Sequence, residues 1–228
     1  MYKLDEKIDG SFFEHGYAYA NSLIFEADCK EILDEMKNSW AIDKSDYIHS
    51  PKYRLHVPLL MTAVTVNAMV KVISHYGNVF DKFLCEEKMR WLVEFSSICV
   101  LPGASGQVIH RDVPDHEKRL ITVFINLMDV SLDSGPLLII SGSQAIEGDN
   151  YLNSSKYLTM EDLKPMTLPK GPCVLMDSRL FHAGTANTSN SPRPVFYFTF
   201  GEKDLKGPTY SIRNDYRGKY KLDDFCNN

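Results

Sequence analysis

The sequence predicts a mainly β protein with N-terminal helices, built as a double-stranded β-helix of the jelly-roll type that also occurs in cupins. Three observations support this prediction: a helical period near the N-terminus, several short segments rich in β-formers from residue 90 onward, and turn residues between them. The 228 residues are expected to form one domain. We divide it into helical support (1–85), a jelly-roll core (90–200) and a C-terminal tail (201–228).

The N-terminal part contains two predicted helices. In the first helix, charged residues separate apolar residues that recur at helical spacing. The apolar residues are Cys29, Ile32, Leu33, Met36 and Trp40. The second helix is predicted to follow Pro58, whose fixed φ suits a first turn, and to end near Gly77 as a C-cap. The polar and aromatic residues between the two helices, 47–56, are predicted to be a loop or a short strand.

Strands are predicted from residue 90 onward. Residues 91–100 are rich in β-formers and end at a turn, residues 102–106, which leads into a strand carrying His110 and Asp112. Shorter strands are predicted at residues 120–128, 137–140, 166–168, 172–176 and 194–200. Residues 143–164 show no clear period, so they are expected to be either a lid over the site or an ordinary surface excursion.

The overall composition argues against several classes of protein. A formal net charge of −5 disfavours a nucleic-acid binder, because phosphate contacts require a basic face. The five cysteines are odd in number and lack a CxxC motif, so neither a disulfide framework nor a cysteine zinc site is expected. The N-terminus is charged, and no apolar stretch approaches the ~20 residues that span a bilayer. We therefore expect a cytoplasmic protein without a membrane partner.

The C-terminal tail mixes aromatic and basic residues, with Tyr210, Tyr216 and Tyr220 among arginines and lysines. Such a pattern occurs in proteins that bind single-stranded nucleic acid. The acidic chain favours another interpretation, in which the tail folds over the barrel or over a neighbouring subunit.

Two motifs far apart in the chain predict a metal site. Alternate side chains of an extended strand point the same way, so His110 and Asp112 can aim at one point. His182 offers a third ligand from a distant strand. Two imidazoles and a carboxylate form the facial set that binds Fe(II) and leaves other coordination positions open. Zinc is the main competing metal, and a lone His-x-Asp tripeptide also arises by chance.

The ordered set of motifs around these residues resembles the phytanoyl-CoA dioxygenase-like family of Fe(II)- and 2-oxoglutarate-dependent oxygenases. The resemblance covers residues 90–200, about half of the chain, and is strongest to a fungal branch that tailors terpenoid and alkaloid skeletons. The motifs are Leu101-Pro102-Gly103, Gln107-Val108-Ile109-His110-Arg111-Asp112, Asp133-Ser134-Gly135-Pro136-Leu137, Ser141-Gly142-Ser143, and Asp177-Ser178-Arg179-Leu180-Phe181-His182-Ala183-Gly184 with Asn187 and Arg193.

The resemblance implies a role for each site residue. His110, Asp112 and His182 would bind iron. Arg193 would pair with the distal carboxylate of 2-oxoglutarate, which a planar guanidinium matches with two hydrogen bonds, and Gln107 would hydrogen-bond the same cosubstrate. Arg54 would contact substrate or cosubstrate at the substrate mouth; the alternative is a solvated or ion-paired surface arginine.

The implied reaction uses Fe(II), 2-oxoglutarate and dioxygen to oxidise a C–H bond of a small, largely apolar molecule, with release of succinate and CO2. Asp112 stands where related halogenases have glycine or alanine, so hydroxylation or a related oxidation is favoured. Two positions depart from the family pattern. Leu137 replaces a threonine that often bonds the cosubstrate, and Gln144 replaces the histidine of Pro-Gly-Ser-His.

Several residues near the motifs are expected to support the ligands or to be bystanders. Asp177 and Arg179 are expected to aim His182 through backbone or ion-pair contacts, and His116 is expected at the surface or beside the ligands. Two other functions remain open. A cupin-type zinc-dependent hydrolase or isomerase would keep the three ligands without needing Arg193, and a non-catalytic binding module would keep only the fold. The expected partner is a small-molecule substrate, and a homodimer is left open.

Overall fold

The computed structural model describes residues 6–20, 23–42, 48–49, 53–113, 118–146, 163–205 and 211–226. The strands are β1 (Tyr17–Ala20), β2 (Ile48–His49), β3 (Arg54–Pro58), β4 (Trp91–Val100), β5 (Leu120–Asn126), β6 (Leu137–Ile140), β7 (Leu163–Pro165), β8 (Cys173–Asp177), β9 (His182–Gly184) and β10 (Arg193–Gly201). The helices are α1 (Glu6–His15), α2 (Glu26–Ile42), α3 (Ala63–His75) and α4 (Gly77–Phe83). Short 3-10 turns lie at Glu87–Met89, Ser143–Ala145 and Leu222–Phe225.

The strands form two antiparallel sheets. The major sheet has the order β1-β8-β5-β10-β4-β3-β2, and the minor sheet has the order β7-β6-β9. A helical layer covers the outer face of the major sheet, and a cavity lies on its inner face. This architecture confirms the predicted double-stranded β-helix with N-terminal helices.

Strand β10 lies at the centre of the major sheet and is buried on both faces. Because side chains alternate along a strand, Phe196, Phe198 and Phe200 share one face and pack in the core with the helices. Val195 and Tyr197 face the other way and line the cavity together with Arg193. The same strand therefore builds the hydrophobic core and one wall of the site.

The first predicted helix is confirmed as α2, with Cys29, Ile32 and Met36 buried; the side chain of Trp40 lies outside the described residues. The second, α3, begins later than predicted. Pro58 is the last residue of β3, where it pairs with Ser96, so its assignment to a first helical turn is wrong.

The ends of α3 are set by residues other than those predicted. At the start, the hydroxyl of Thr65 accepts a hydrogen bond from the N–H of Thr62, the N-cap residue. At the end, the N–H of Tyr76 donates to the carbonyl of Val72, and Gly77 opens α4 instead of capping α3. The C-cap prediction for Gly77 is therefore wrong.

Strands supplied by the N-terminal segment also differ from the prediction. Residues 1–85 contribute β1, β2 and β3 to the major sheet, so this segment is not only helical. β1 is only four residues long and pairs with β8, and β3 pairs with β4. Partners so distant in the sequence leave no local signal. The division of residues 1–228 into one domain stays a prediction.

Two predicted strands are absent from the described part of the structure. The strand expected at residues 166–168 is wrong, because β7 ends at Pro165; the N–H of Met166 then donates to the carbonyl of Leu137. The segment before Asp112 is not a regular strand either, and only His110 forms a β-bridge, to His182. Residues 147–162, which include most of the predicted lid, lie outside the described residues.

The described part of the C-terminal tail packs on the barrel, as one of the two interpretations predicted. The backbone of β4 bonds to it at two points, from Leu92 N–H to the carbonyl of Tyr220 and from Phe95 N–H to the carbonyl of Ser211. Leu222 and Phe225 are buried in the main core. In the described part of the chain, no helix combines the length and apolarity needed to cross a membrane.

Replacing Phe196 by alanine should lower the free energy of unfolding by about 3–5 kcal/mol, because the emptied space cannot fully close. The ring is 0% exposed and packs edge-on against Phe95 at a centroid distance of 5.2 Å. Phe25 is 67% exposed, so Phe25→Ala serves as the control and should cost less than about 1 kcal/mol. Urea denaturation measures both variants, and equal losses would contradict the central position of Phe196.

Candidate metal centre

Three side chains from distant parts of the sequence meet at one point in the structure. One ligand atom from each of His110, Asp112 and His182 lies within 4.8 Å of the others. The Oδ1 atom of Asp112 is 3.7 Å from Nε2 of His110 and 3.6 Å from Nε2 of His182. The N–H of each histidine donates to the carbonyl of the other at 2.9 Å, and this β-bridge brings the two rings together.

Both histidine rings are oriented by backbone carbonyls. Nδ1 of His110 lies 2.8 Å from the carbonyl oxygen of Val108, and Nδ1 of His182 lies 3.0 Å from that of Leu180. A ring nitrogen that faces a carbonyl must carry the hydrogen, which leaves the lone pair on Nε2. Burial also lowers the pKa of His182, favouring its neutral form. Both rings thus present Nε2 to Asp112 in the state that binds a metal.

Asp112 is held in the cluster by its backbone and is removed from solvent. Its N–H donates to the carbonyl of Ser178 at 3.0 Å, and its side chain is 8% exposed. Burial raises the pKa of the carboxyl to about 7, and the nearby His110 acts in the opposite direction, toward a lower pKa. A buried carboxylate is costly unless a cation compensates it, so a divalent metal ion fits this donor set.

Two buried arginines lie in the same cavity, which has a volume of about 410 Å³ and is also lined by the three candidate ligands. Arg193 is 8% exposed and Arg54 is 4% exposed. Burial first, and the charge of Arg54 second, lower the pKa of Arg193 to about 10, so it stays charged at neutral pH. Within the described ranges, neither guanidinium forms an ion pair with a carboxylate, and Nε of Arg193 has no hydrogen-bond partner.

Arg54 is buried, so its alternative interpretation as a solvated or ion-paired surface arginine is wrong. Its Nη2 atom donates to the carbonyls of Ser105, Gly184 and Thr185 at 3.0, 3.2 and 2.6 Å. These bonds fix the guanidinium beside the cavity and also tie β3 to the end of β9. The two arginines make one part of the cavity positively charged, which fits an anion with two oxygens.

Gln107 is held by the strand that carries His182. Its Oε1 atom accepts a hydrogen bond of 2.8 Å from the N–H of Gly184. A Cβ at position 184 would lie 2.6 Å from Nη1 of Arg54 and 2.7 Å from Oε1 of Gln107. Glycine is therefore needed there for Arg54 and Gln107 to reach across β9.

The remaining predicted residues have structural contacts. Asp177 and Arg179 form the expected ion pair, at 2.5 Å, in the turn before His182. Leu137 lines the cavity and offers no hydroxyl group there, as expected for a leucine in place of the threonine of the family pattern. Gln144 donates from Nε2 to the carbonyl of Glu14 at 3.1 Å, which makes it a link to α1. His116 lies outside the described residues.

Sequence reasoning missed the polar residues that the major sheet places in the cavity: His56, Glu94, Thr122, Asn126 and Tyr197. A signal for them was present in the sequence. Each lies in a strand made mostly of apolar residues, and Tyr197 is an even number of positions from Arg193, which puts both on the same face. Without the pairing of the strands, the side facing the site could not be assigned.

Comparison with known proteins gives matches to dioxygenases. The family model for phytanoyl-CoA dioxygenase matches residues 12–195. Dioxygenase ALT11 of Alternaria alternata is 30% identical over 120 residues, which cover 48% of this chain and 38% of that protein. The match therefore spans well under two thirds of the length of that relative.

Solved structures with the same fold include two enzymes from nogalamycin biosynthesis. One is the epimerase SnoN in complex with Fe3+, alpha ketoglutarate and nogalamycin RO, with a TM-score of 0.70 and 12% identity over 89% of this chain and 86% of that chain. Another is the non-heme alpha ketoglutarate dependent carbocyclase SnoK, with a TM-score of 0.68 and 13% identity over 96% and 92%. At these identities the similarity establishes the fold.

His56 lies in the cavity wall beside Arg54 and is buried as a neutral side chain. Its Nδ1 atom is 3.3 Å from the hydroxyl of Tyr197. Burial, with a smaller contribution from Arg54, lowers the pKa of His56 to about 4. The unfolded chain takes up this proton near pH 6.5, whereas the folded protein does so only near pH 4.

The free energy of unfolding should therefore fall as the pH is lowered from 6.5 to 4, with about 3 kcal/mol of the loss coming from His56. In His56→Gln this part of the pH dependence should disappear. Chemical denaturation of the metal-free protein at several pH values measures the slope. His15→Gln, at the half-exposed end of α1, is the control, and an unchanged slope in His56→Gln would contradict the prediction.

Proposed function

Because the chain belongs to the phytanoyl-CoA dioxygenase family, we propose that it is an Fe(II)- and 2-oxoglutarate-dependent oxygenase that oxidises a C–H bond of a small molecule. Succinate and CO2 are the other products of this reaction. The observation that carries the proposal is the joint presence, in one cavity, of a three-ligand cluster and two buried arginines.

His110, Asp112 and His182 would hold the iron through two imidazole nitrogens and one carboxylate oxygen. This facial set leaves the opposite side of the metal for cosubstrate and dioxygen. When bound, iron and 2-oxoglutarate together supply the oxidation by dioxygen, and the protein supplies orientation and a cavity shielded from water. The backbone carbonyls of Val108 and Leu180 keep both rings in the metal-binding tautomer.

Arg193 would receive the distal carboxylate of 2-oxoglutarate. The cosubstrate is a dianion, so the unbalanced positive charge of Arg193 and Arg54 favours its entry at this end of the cavity. The amide of Gln107, whose oxygen is held by Gly184, would offer its N–H₂ group as a further donor. These contacts replace the hydrogen bond that Leu137 does not provide.

The carboxylate at position 112 favours hydroxylation or a related oxidation over halogenation. A cupin-type zinc hydrolase or isomerase is the second candidate, since it could use the same three ligands. Such an enzyme has no use for a buried cationic pair in the cavity that holds the ligands, so Arg193 and Arg54 favour the oxygenase.

Removal of the carboxylate ligand should abolish the iron centre. Anaerobic addition of Fe(II) and 2-oxoglutarate to the unmodified protein is expected to give a weak visible charge-transfer band. In Asp112→Ala the band should be lost and the affinity for Fe(II) should fall at least about 100-fold. Asp34→Ala, on the exposed face of α2, is the control. An undiminished band in Asp112→Ala would contradict the ligand assignment.

Arg193→Lys should weaken 2-oxoglutarate binding by about 10–100-fold, because an ammonium keeps the charge but not the two parallel donors. Arg193→Ala should weaken it further, and both variants should keep their affinity for Fe(II). Titration of the charge-transfer band with 2-oxoglutarate measures the effect, with Arg213→Lys, outside the cavity, as the control. Activity of Arg193→Ala that persists without dioxygen would favour the zinc enzyme instead.

A further inference from the structure

Strand β5 places a buried amide next to Arg193. Asn126, the last residue of β5, is 6% exposed and lines the cavity. It pairs with Val195 of β10, which is two residues from Arg193. Residues two apart on a strand share a face, and such diagonal neighbours on adjacent strands have Cα atoms about 7–8 Å apart. The side chains of Asn126 and Arg193 can therefore reach the same part of the cavity.

The backbone of Asn126 is hydrogen-bonded, whereas its side chain is not. The N–H donates to the carbonyl of Pro172 at 3.2 Å, and the carbonyl accepts the N–H of Gly171 at 2.8 Å. These bonds fix the end of β5 against the segment that leads into β8. Within the described part of the chain, the amide side chain forms no hydrogen bond. It is therefore available to a ligand in the cavity.

Asn126 and Arg193 together offer donors that suit a carboxylate. Two carboxylate oxygens accept about four hydrogen bonds, and a guanidinium supplies two of them, so positions remain for an amide N–H₂ group. The amide adds a donor without adding charge. This matters because Arg54 and Arg193 already lie at one level of the sheet, and a third buried cation would be costly.

We propose that Asn126 is a cosubstrate-binding residue whose amide donates to the distal carboxylate of 2-oxoglutarate beside Arg193. The proposal rests on the oxygenase function proposed above. A buried amide without a partner loses free energy relative to water, and a ligand that accepts its hydrogen bond restores it. Asn126 thus adds to the affinity for 2-oxo acids that carry a second carboxylate, and not to the affinity for those that lack one.

Two 2-oxo acids that differ only at the distal end test this contact. 2-Oxoglutarate has a carboxylate there and 2-oxopentanoate has a methyl group, while the keto acid end is the same. Each is titrated anaerobically into the Fe(II)-loaded protein, and the charge-transfer band reports binding. Asn126→Leu should bind 2-oxoglutarate about tenfold or more weakly, as expected for a lost hydrogen bond to a charged group. Its affinity for 2-oxopentanoate should be unchanged.

Asn126→Asp separates a ligand contact from a merely structural role. Aspartate matches asparagine in shape, so a structural role predicts a smaller effect than that of leucine. A ligand contact predicts the opposite order, because a carboxylate beside Arg193 stays ionised, pairs with that arginine and repels the cosubstrate. We expect 2-oxoglutarate to bind more weakly to Asn126→Asp than to Asn126→Leu. Asn67→Leu and Asn67→Asp, on the exposed face of α3, are the matched controls and should bind it normally.

Equal losses for the two acids in Asn126→Leu, or a smaller loss in Asn126→Asp than in Asn126→Leu, would overturn the proposal. Both variants should also keep their affinity for Fe(II), and a loss of that affinity would overturn it too. The band in the unmodified protein tests the oxygenase separately. Its absence contradicts the oxygenase, whereas its presence together with normal 2-oxoglutarate binding in Asn126→Leu contradicts only the role of Asn126.

Discussion

The reciprocal backbone hydrogen bonds between His110 and His182 are the interaction on which the candidate centre depends. Each N–H donates to the opposite carbonyl at 2.9 Å, and this β-bridge joins a segment without regular structure to strand β9. Because the bridge fixes the backbone on both sides, the two rings lie with their centroids 4.5 Å apart. Asp112, two residues from His110, is then carried to the same point. A metal site with three ligands needs a fixed backbone. Mobile ligands would bind the metal more weakly, because ordering them costs conformational entropy.

Charge in the cavity is arranged by the strands of the major sheet. Arg54 on β3 and Arg193 on β10 lie at the same level of the sheet, because both pair with Val100 of β4, the strand between them. Glu94 lies further along β4, on the same wall. Burying two like charges in one enclosure is costly unless a ligand compensates them. The end of the cavity at Arg54 and Arg193 therefore favours an anionic ligand.

The outer face of the same sheet supplies the stability that this arrangement requires. The phenylalanines of β10 pack with the helices and with the C-terminal tail, away from the cavity. Strand β9 combines a ligand, His182, with Gly184, whose missing side chain lets Arg54 and Gln107 cross it. The fold thus separates a packed hydrophobic layer from the polar wall of the cavity. Alternate residues of β10 contribute to the layer and to the wall.

The sequence by itself determined the fold class, the helix α2, the strand at residues 91–100, and the set His110, Asp112, His182 and Arg193, because periodicity and linked motifs are local properties of the chain. Only the tertiary structure decided which strands pair. That pairing placed β1 and β3 in the sheet, buried Arg54, and put Glu94 in the cavity wall. The physical reason is that a strand has two faces, and the face that meets the site is chosen by partners far away in the sequence.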